Sequence, residues 1–445
     1  MTLITIIGGG ITGLAAAWEL ASRSDVTVQV LEAAPRFGGK IHTSAFAGSD
    51  LDEGADAFLV RTPDALRLCA ELGIDTQQIT HPRPGQASVW WDGRLHPLPH
   101  GLTMGLPLDP SCLAGTELLS AAGIARALRE PDLPGLPIHE DRAIGPFVAE
   151  RFGDEVAERL VGPLLGAIAA GDINTMSLDA VLPQIATLAR GSSALTGAGT
   201  ATPIDTGPVF AAPVGGMGRL IDALVEQLPD RGVRLITDAA IDALPAADGV
   251  LITTPSHTAA NLVRAVSPQA AVLLSAVPLV SVAFVALAFP QSAFAEPPTG
   301  TGFLVPRSAG LSITAASWSS NKWAHLDDGN QVIVRAAVGH RHDDRVDTQS
   351  DDELIAAVLA DLHTTVGINI GITTAPSSVR VSRYPRGFPQ YDVGHLGRVA
   401  EIEASLATDA PHVAVTGMAH RGVGIPACIR EGRAAARSLA DKLAS

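Results

Sequence analysis

Lysine is almost missing from this 445-residue chain: Lys40, Lys322 and Lys442 are the only three, and Lys and Arg together number 31 against 46 Asp and Glu. The resulting net charge of −15 excludes a nucleic-acid partner, because a phosphate backbone needs a basic surface. An anionic small molecule would have to be met by a local basic pocket. Cysteine is equally scarce. Cys69, Cys112 and Cys428 are scattered and odd in number, with no C-x-x-C and no His pair at metal spacing, so neither a disulfide framework nor a metal site is expected. Charged residues make up only 17% of the chain and hydrophobic ones 47%, which suits a large buried interior. Even so, a membrane span is not expected. The longest uncharged stretch, 265–295, is divided by Pro268, Pro278 and Pro290 into a short helix and a β-rich segment over 279–289. The first strand pattern begins at residue 2, leaving no room for a leader peptide, and a cytoplasmic protein is expected.

What is present is concentrated in the first forty residues. Leu3, Ile4, Ile6 and Ile7 run into Gly8-Gly9-Gly10-Ile11-Thr12-Gly13, and 14–20 has helix-forming composition, so the segment reads as strand, tight turn, helix. Gly8 permits the turn, Gly10 lets a pyrophosphate approach without meeting a Cβ, and Gly13 lets helix and strand pack closely. The helix start adds unpaired N–H groups and a positive dipole end. A second strand over 26–31 ends on Glu32, followed by Ala33, where a ribose hydroxyl needs an acceptor. Arg36, Gly38, Gly39 and Lys40 then give E-x-x-x-R-x-G-G-K, and Gly54-Ala55-Asp56-Ala57 follows. In these residues the chain resembles the two-dinucleotide-binding-domain flavoproteins of the flavin amine oxidase superfamily. The resemblance implies FAD, whose extended form runs over more backbone than one glycine turn supplies.

Further along, the pattern predicts a helix over 63–72, a hairpin of 88–91 and 94–98 closed by Asp92-Gly93, a mostly helical stretch over 113–188, and a mobile-looking Gly/Ser/Thr/Ala loop over 191–207. Gly215-Gly216-Met217-Gly218 opens a helix over 220–228, and strands follow at 233–236, 239–244 and 249–253. Strands alternate with turns over 280–338, and an amphipathic helix covers 351–366. The last block is strand 413–417, glycine loop 422–426 and helix 428–443, whose N-terminus can face the flavin. Dinucleotide-type pieces thus recur at the start, middle and end. The fold class expected is α/β (α+β overall): a discontinuous Rossmann-like FAD-binding domain (1–82, 209–266, 396–445), a mixed-sheet substrate domain (83–110, 267–395) and a helical lobe (111–208). Ile241, Gly417, Val423, Gly424 and Ile425 join the glycine turns as expected cofactor contacts.

Several stretches narrow the resemblance to the protoporphyrinogen/coproporphyrinogen III oxidase family, nearest its bacterial coproporphyrinogen-oxidising members. They are Gly38-Gly39-Lys40, Gly54 to Leu59, Ala170-Gly171-Asp172, Gly215-Gly216-Met217, Ser319-Ser320-Asn321-Lys322-Trp323, Pro389-Gln390-Tyr391 with Gly394-His395, and Gly422 to Ile429. The family implies six-electron oxidation of a porphyrinogen with oxygen as acceptor and hydrogen peroxide as product, with positioning supplying most of the catalysis and a ferrochelatase downstream in the pathway. It also implies that the helical lobe is an entrance region; here its helices are read as core, with peripheral membrane contact at most. No side chain is assigned as catalytic acid or base, and His395 and His420 are read as structural. Four propionates need cations, and the candidates are Arg61, Lys322, Arg335, Arg383 and Arg386, with Lys322 and Arg383 expected on the pocket wall. Protoporphyrinogen remains the alternative substrate. Amine oxidation is a further alternative, weakened because strand 279–289 lacks the lysine that amine oxidases carry there; carotenoid-type desaturation and a nonenzymatic FAD scaffold complete the set. Oligomeric state is left open.

Overall fold

The computed structural model of the chain describes residues 1–134, 140–191, 194–197, 207–294, 296–367 and 375–444. It falls into two compact units: Met1–His81 with Pro208–Pro278 and His395–Ser445, and Pro82–Gly207 with Leu279–Gly394.

The first unit is built on a five-stranded parallel sheet in the order Arg234–Ile236, Val26–Leu31, Thr2–Ile7, Gly249–Ile252, Val413–Val415. Parallel strands covered on both faces read as continuous apolar runs, and Ile4, Ile6, Val28, Val30, Leu251 and Ile252 are all buried. Helix Ile11–Leu20 is buried nearly all round because it lies against the last helix, Ile425–Ala444. Small residues permit that approach: a methyl on Gly432 would meet Thr12 O at 2.3 Å. Arg433 fixes the pairing by bonding Glu71, which also accepts from Trp18 Nε1 at 2.8 Å. The arginine first, and the indole N–H after it, hold the Glu71 carboxyl below its usual pKa.

The second unit carries a seven-stranded sheet in the order Ser378–Pro389, Leu279–Pro290, Gln331–Val338, Ile313–Trp318, Gly302–Leu304, Ala87–Trp91, Arg94–Pro97, antiparallel except where Gly302–Leu304 meets Ala87–Trp91. Asp92 and Gly93, at φ 48° and 77°, close the expected hairpin in the type I′ manner. One face of this sheet, through Ala283, Val285, Leu287 and Phe289, packs on helix Asp351–Leu362. That helix begins on a capping box, Ser350 with Glu353. The helices of 121–191 form their own core, in which Phe147, Phe152, Leu160, Val161 and Leu165 are buried. Among the described residues no helix is long and apolar enough to cross a membrane.

Three expectations need correction or extension. Residues 239–244 form no strand: Asp238 takes φ 52°, the chain turns along the end of strand Val26–Leu31 through Asp238 N to Ala34 O and Ala239 N to Glu32 O, and Ile241 packs on the cluster that holds Ile7, Val250, Ile252 and Val263. The helix Pro268–Ser275 belongs to the first unit, where it packs on Ser256–Val263 and His395–Asp409, so the unit boundary lies after Pro278 rather than at 266. Strand Ser378–Pro389 and helix His395–Asp409 went unrecognised. The loop 191–207 lies largely outside the described residues.

Candidate functional site

In the first unit the glycine-bearing segments converge. At Gly13 a methyl would sit 2.0 Å from Gly8 O and 2.8 Å from Thr253 Oγ1, so only glycine lets the helix close on the turn; at Gly10 a methyl would meet nothing within 4 Å. That opening is the clearance a pyrophosphate needs. Gly38 N donates to Gly9 O at 2.8 Å, and Gly10 and Gly38 form a parallel bridge, which lays the second glycine pair along the first turn. A methyl built on Gly417 would lie 3.8 Å from Thr12 Oγ1. The last helix starts just beyond, with Gly424 O accepting from Cys428 N, so Val423, Gly424 and Ile425 bring a second helix N-terminus to the same region of the unit.

Individual side chains divide between holding this frame and lining it. Glu32 accepts from Gly9 N at 2.7 Å and Ala34 N at 2.8 Å; a carboxylate has further lone pairs, so it can brace the turn and still take a hydroxyl. Arg36 donates to Gly39 O at 2.8 Å and to the carbonyls of Phe37 and Ile41, which makes it a clamp on the Gly38–Gly39 turn. Lys40 reaches Met418 Sδ at 3.8 Å, and burial lowers its pKa. Burial also raises the Cys428 thiol, with Thr12 and Lys40 pulling the other way. Gly54 is buried, Ala55 is exposed, and Asp56 and Ala57 are partly covered.

No local signal shows how Gly216-Met217-Gly218 is held. Asp52 accepts from Met217 N at 2.9 Å and Thr43 Oγ1 from Gly218 N at 2.8 Å, so hairpin Thr43–Phe46/Ser49–Asp52 pins that turn. Only a long-range contact could reveal it.

His395 and His420 are both buried, and His395 Nε2 lies 2.8 Å from His420 O. Burial pushes the His420 pKa down to about 4, so its ring is neutral at physiological pH. The consequence for stability has a definite sign. Above about 6.5 the ring is neutral both folded and unfolded; between 6.5 and about 4 the unfolded chain takes up a proton that the folded one refuses, so stability falls as pH falls. His420→Leu is expected to remove that loss, on the order of 3 kcal/mol at pH 4, seen as a flatter plot of urea midpoint against pH. Equal acid sensitivity in both proteins would show that His420 is not the group responsible.

In the second unit, two stretches quoted for the resemblance meet. Ala170, left-handed at φ 51°, accepts from Arg341 N at 2.9 Å; Gln390 Nε2 donates to Ala169 O at 3.0 Å; Ser177 N donates to Tyr391 O at 2.7 Å; and Asp172 pairs with Arg307 at 2.8 Å. The cation candidates separate. Arg383 pairs with Asp351 at 2.7 Å and donates to Val346 O and Gln349 O. It stands opposite Ala283, on the face that packs against helix Asp351–Leu362, and this is a structural role rather than a pocket wall. Lys322 Nζ lies 5.3 Å from the Trp323 ring centre. Arg61 is exposed in the first unit, and Arg386 is exposed on a left-handed turn. Arg335 is buried, its guanidinium 4.1 Å over the Phe284 ring.

The chain belongs to the flavin-containing amine oxidoreductase family, which it matches over residues 11–440. Within that class it is similar to the coproporphyrinogen III oxidase of Bacillus subtilis (strain 168), 34% identical over 464 residues, 97% of this chain and 96% of that protein. A crystal structure from Exiguobacterium sp. 255-15, provisionally described as a protoporphyrinogen oxidase, superposes with a TM-score of 0.88 at 30% identity, covering 99% of each chain. Cyclohexylamine oxidase from Brevibacterium oxydans IH-35A shares the fold, with a TM-score of 0.68 at 18% identity over the full length of both.

Proposed function

We propose that this chain is an FAD-dependent oxidase that converts coproporphyrinogen III to coproporphyrin III, with molecular oxygen as the final acceptor and hydrogen peroxide as the reduced product, in heme biosynthesis. The observation that carries the proposal is the near full-length 34% identity to a coproporphyrinogen III oxidase, against 18% to an amine oxidase of the same fold. Strand Leu279–Pro290 also lacks lysine. Electrons and protons balance when six of each leave the porphyrinogen for three molecules of oxygen, giving three of peroxide.

The first unit fits the dinucleotide. The clearance over Gly10, with Gly8, Gly9, Ile11, Thr12 and Gly13 around it, would take the pyrophosphate; Glu32 and Ala33 would face the adenosine side. Gly38, Gly39, Lys40, Gly54 to Ala57, Gly417 and the helix start at Val423 to Ile425 would follow the rest, while Arg36 holds the turn. When bound, FAD supplies the electron-accepting ring. The chain's own residues position the two partners, and no side-chain base is required, because pyrrole nitrogens can stabilise the cation left when a bridging carbon gives up hydride. A cytoplasmic setting with peripheral membrane contact at most, and a product passed to a ferrochelatase, belong to the same proposal.

Coproporphyrinogen III and protoporphyrinogen IX, each prepared anaerobically and mixed aerobically with the yellow protein, distinguish the substrates by porphyrin fluorescence against peroxide. The tetracarboxylate is expected to be turned over with the higher kcat/KM. Turnover of benzylamine or a polyamine instead would sink the proposal.

A further inference from the structure

The seven-stranded sheet carries a row of side chains in which Arg335, one of the cation candidates, is joined by Arg380, which the motifs did not single out. Arg380 stands directly across from Ala286, Ala286 from Arg335, and Arg335 from Ser317. The next row along is Ser382, Phe284, Ala337 and Ala315. Directly opposed residues share a face, and Ala283, Val285 and Leu287 occupy the face toward helix Asp351–Leu362, so both rows lie on the opposite one. Farther along that face Val280 and Val282 pack with Ala170, Tyr384 and Phe388.

The chemistry of the two rows is specific. Arg335, only 9% exposed, lies over Phe284, and Phe284 meets Tyr384 edge to face at 6.2 Å and 71°. The ladder neighbours of the two arginines, Ala286 and Ser317, are small and uncharged. Two strands apart, Arg335 and Arg380 are about 10 Å from each other at the backbone, with an alanine methyl between them. Two cations on either side of a small-residue floor, beside an aromatic pair, match a multi-ring molecule with carboxylate arms. A guanidinium fork takes a carboxylate through two parallel bonds, and aromatic edges accept further rings.

We propose that Arg335 and Arg380 each bind one propionate of the tetrapyrrole substrate, with Phe284 and Tyr384 against a pyrrole ring, and that this pair favours the tetracarboxylate over less carboxylated porphyrinogens. The assignment rests on the reading of the chain as a porphyrinogen oxidase. It replaces Arg383, which an odd number of residues along the strand turns to the opposite face from Arg380.

The test is steady-state kinetics of the holoenzyme on coproporphyrinogen III and on its tetramethyl ester. In Arg380→Gln and Arg335→Gln the KM for the acid is expected to rise about tenfold or more, with kcat within about threefold and the KM for the ester unmoved; Arg335→Lys is expected to recover part of the loss. An unchanged KM for the acid in flavin-loaded variants overturns the assignment, and so does an equal rise for acid and ester, which would mark a structural role. Should Arg335→Gln fail to fold, Arg380→Gln decides alone by the same acid-to-ester comparison. A wild-type enzyme inactive on both porphyrinogens would instead remove the underlying functional reading, whereas an active enzyme with unaffected variants removes only the arginine pair.

Discussion

Gly10→Glu is expected to give a folded protein without flavin. Gly10 sits at φ −75° and ψ 177°, extended backbone that any residue adopts, and a methyl there would touch nothing within 4 Å. The new side chain therefore enters open space without disturbing the turn. It enters where the pyrophosphate is proposed to approach, and a carboxylate beside a phosphate adds like-charge repulsion to the steric block. Flavin affinity should fall by about a hundredfold or more, on the order of 3 kcal/mol, with oxidase activity lost in proportion and the melting temperature of the flavin-free protein close to that of flavin-free wild type. Gly13→Ala should behave in the opposite way, because its methyl lands 2.0 Å from Gly8 O. Helix Ile11–Leu20 would have to move off the sheet, destabilising the unit by about 1–3 kcal/mol before any cofactor is considered. A Gly10→Glu protein that purifies with stoichiometric flavin would show that the turn holds no dinucleotide.

Removing Glu130 is expected to destabilise the helical part of the second unit by several kcal/mol, on the order of 3–5. Its side chain is fully buried, pairs with Arg151, which is 3% exposed, and accepts from Leu195 N and Thr196 N at 2.9 Å each. Burial favours the protonated form, but the two backbone N–H groups and Arg151 outweigh it, and the carboxyl sits below its usual pKa. Glu130→Ala leaves Arg151 buried without its counter-charge and two amides without an acceptor, a loss of about 3–5 kcal/mol. A hydrophobic replacement of both partners should recover only part of it, because the amides of Leu195 and Thr196 still lose their acceptor and Arg151 also bonds Pro134 O at 2.9 Å. Urea unfolding followed by circular dichroism measures both variants. A Glu130→Ala protein within about 1 kcal/mol of wild type would mean that water reaches the pair.

Much of the first unit was legible because its signals are local. Gly8, Gly10 and Gly13 act on atoms a few residues away, so their spacing alone announces the turn, and apolar runs such as 2–7 announce buried parallel strands. The failures share a cause. Residues 239–244 hold a single β-branched residue, Ile241, among three alanines, an aspartate and a leucine, and the chain bonds the end of a neighbouring strand through Asp238 and Ala239, at Ala34 and Glu32, instead of entering the ladder. Strand Ser378–Pro389 mixes Arg380, Ser382 and Arg383 with Val379 and Val381, and its alternation becomes meaningful only once the face of each residue is known.

The sequence by itself determined that a dinucleotide-type strand, turn and helix open the chain, that the fold is α/β, and that its motifs resemble porphyrinogen-oxidising flavoproteins. Each of these is written in spacings of a few residues. Only the tertiary structure decided which cations share a face: Arg335 and Arg380 are brought level by pairing with Ala286, and Arg383 is turned toward Asp351. Strand register makes that choice, and register is set by contacts between segments tens of residues apart, where a shift of one residue would exchange the two faces.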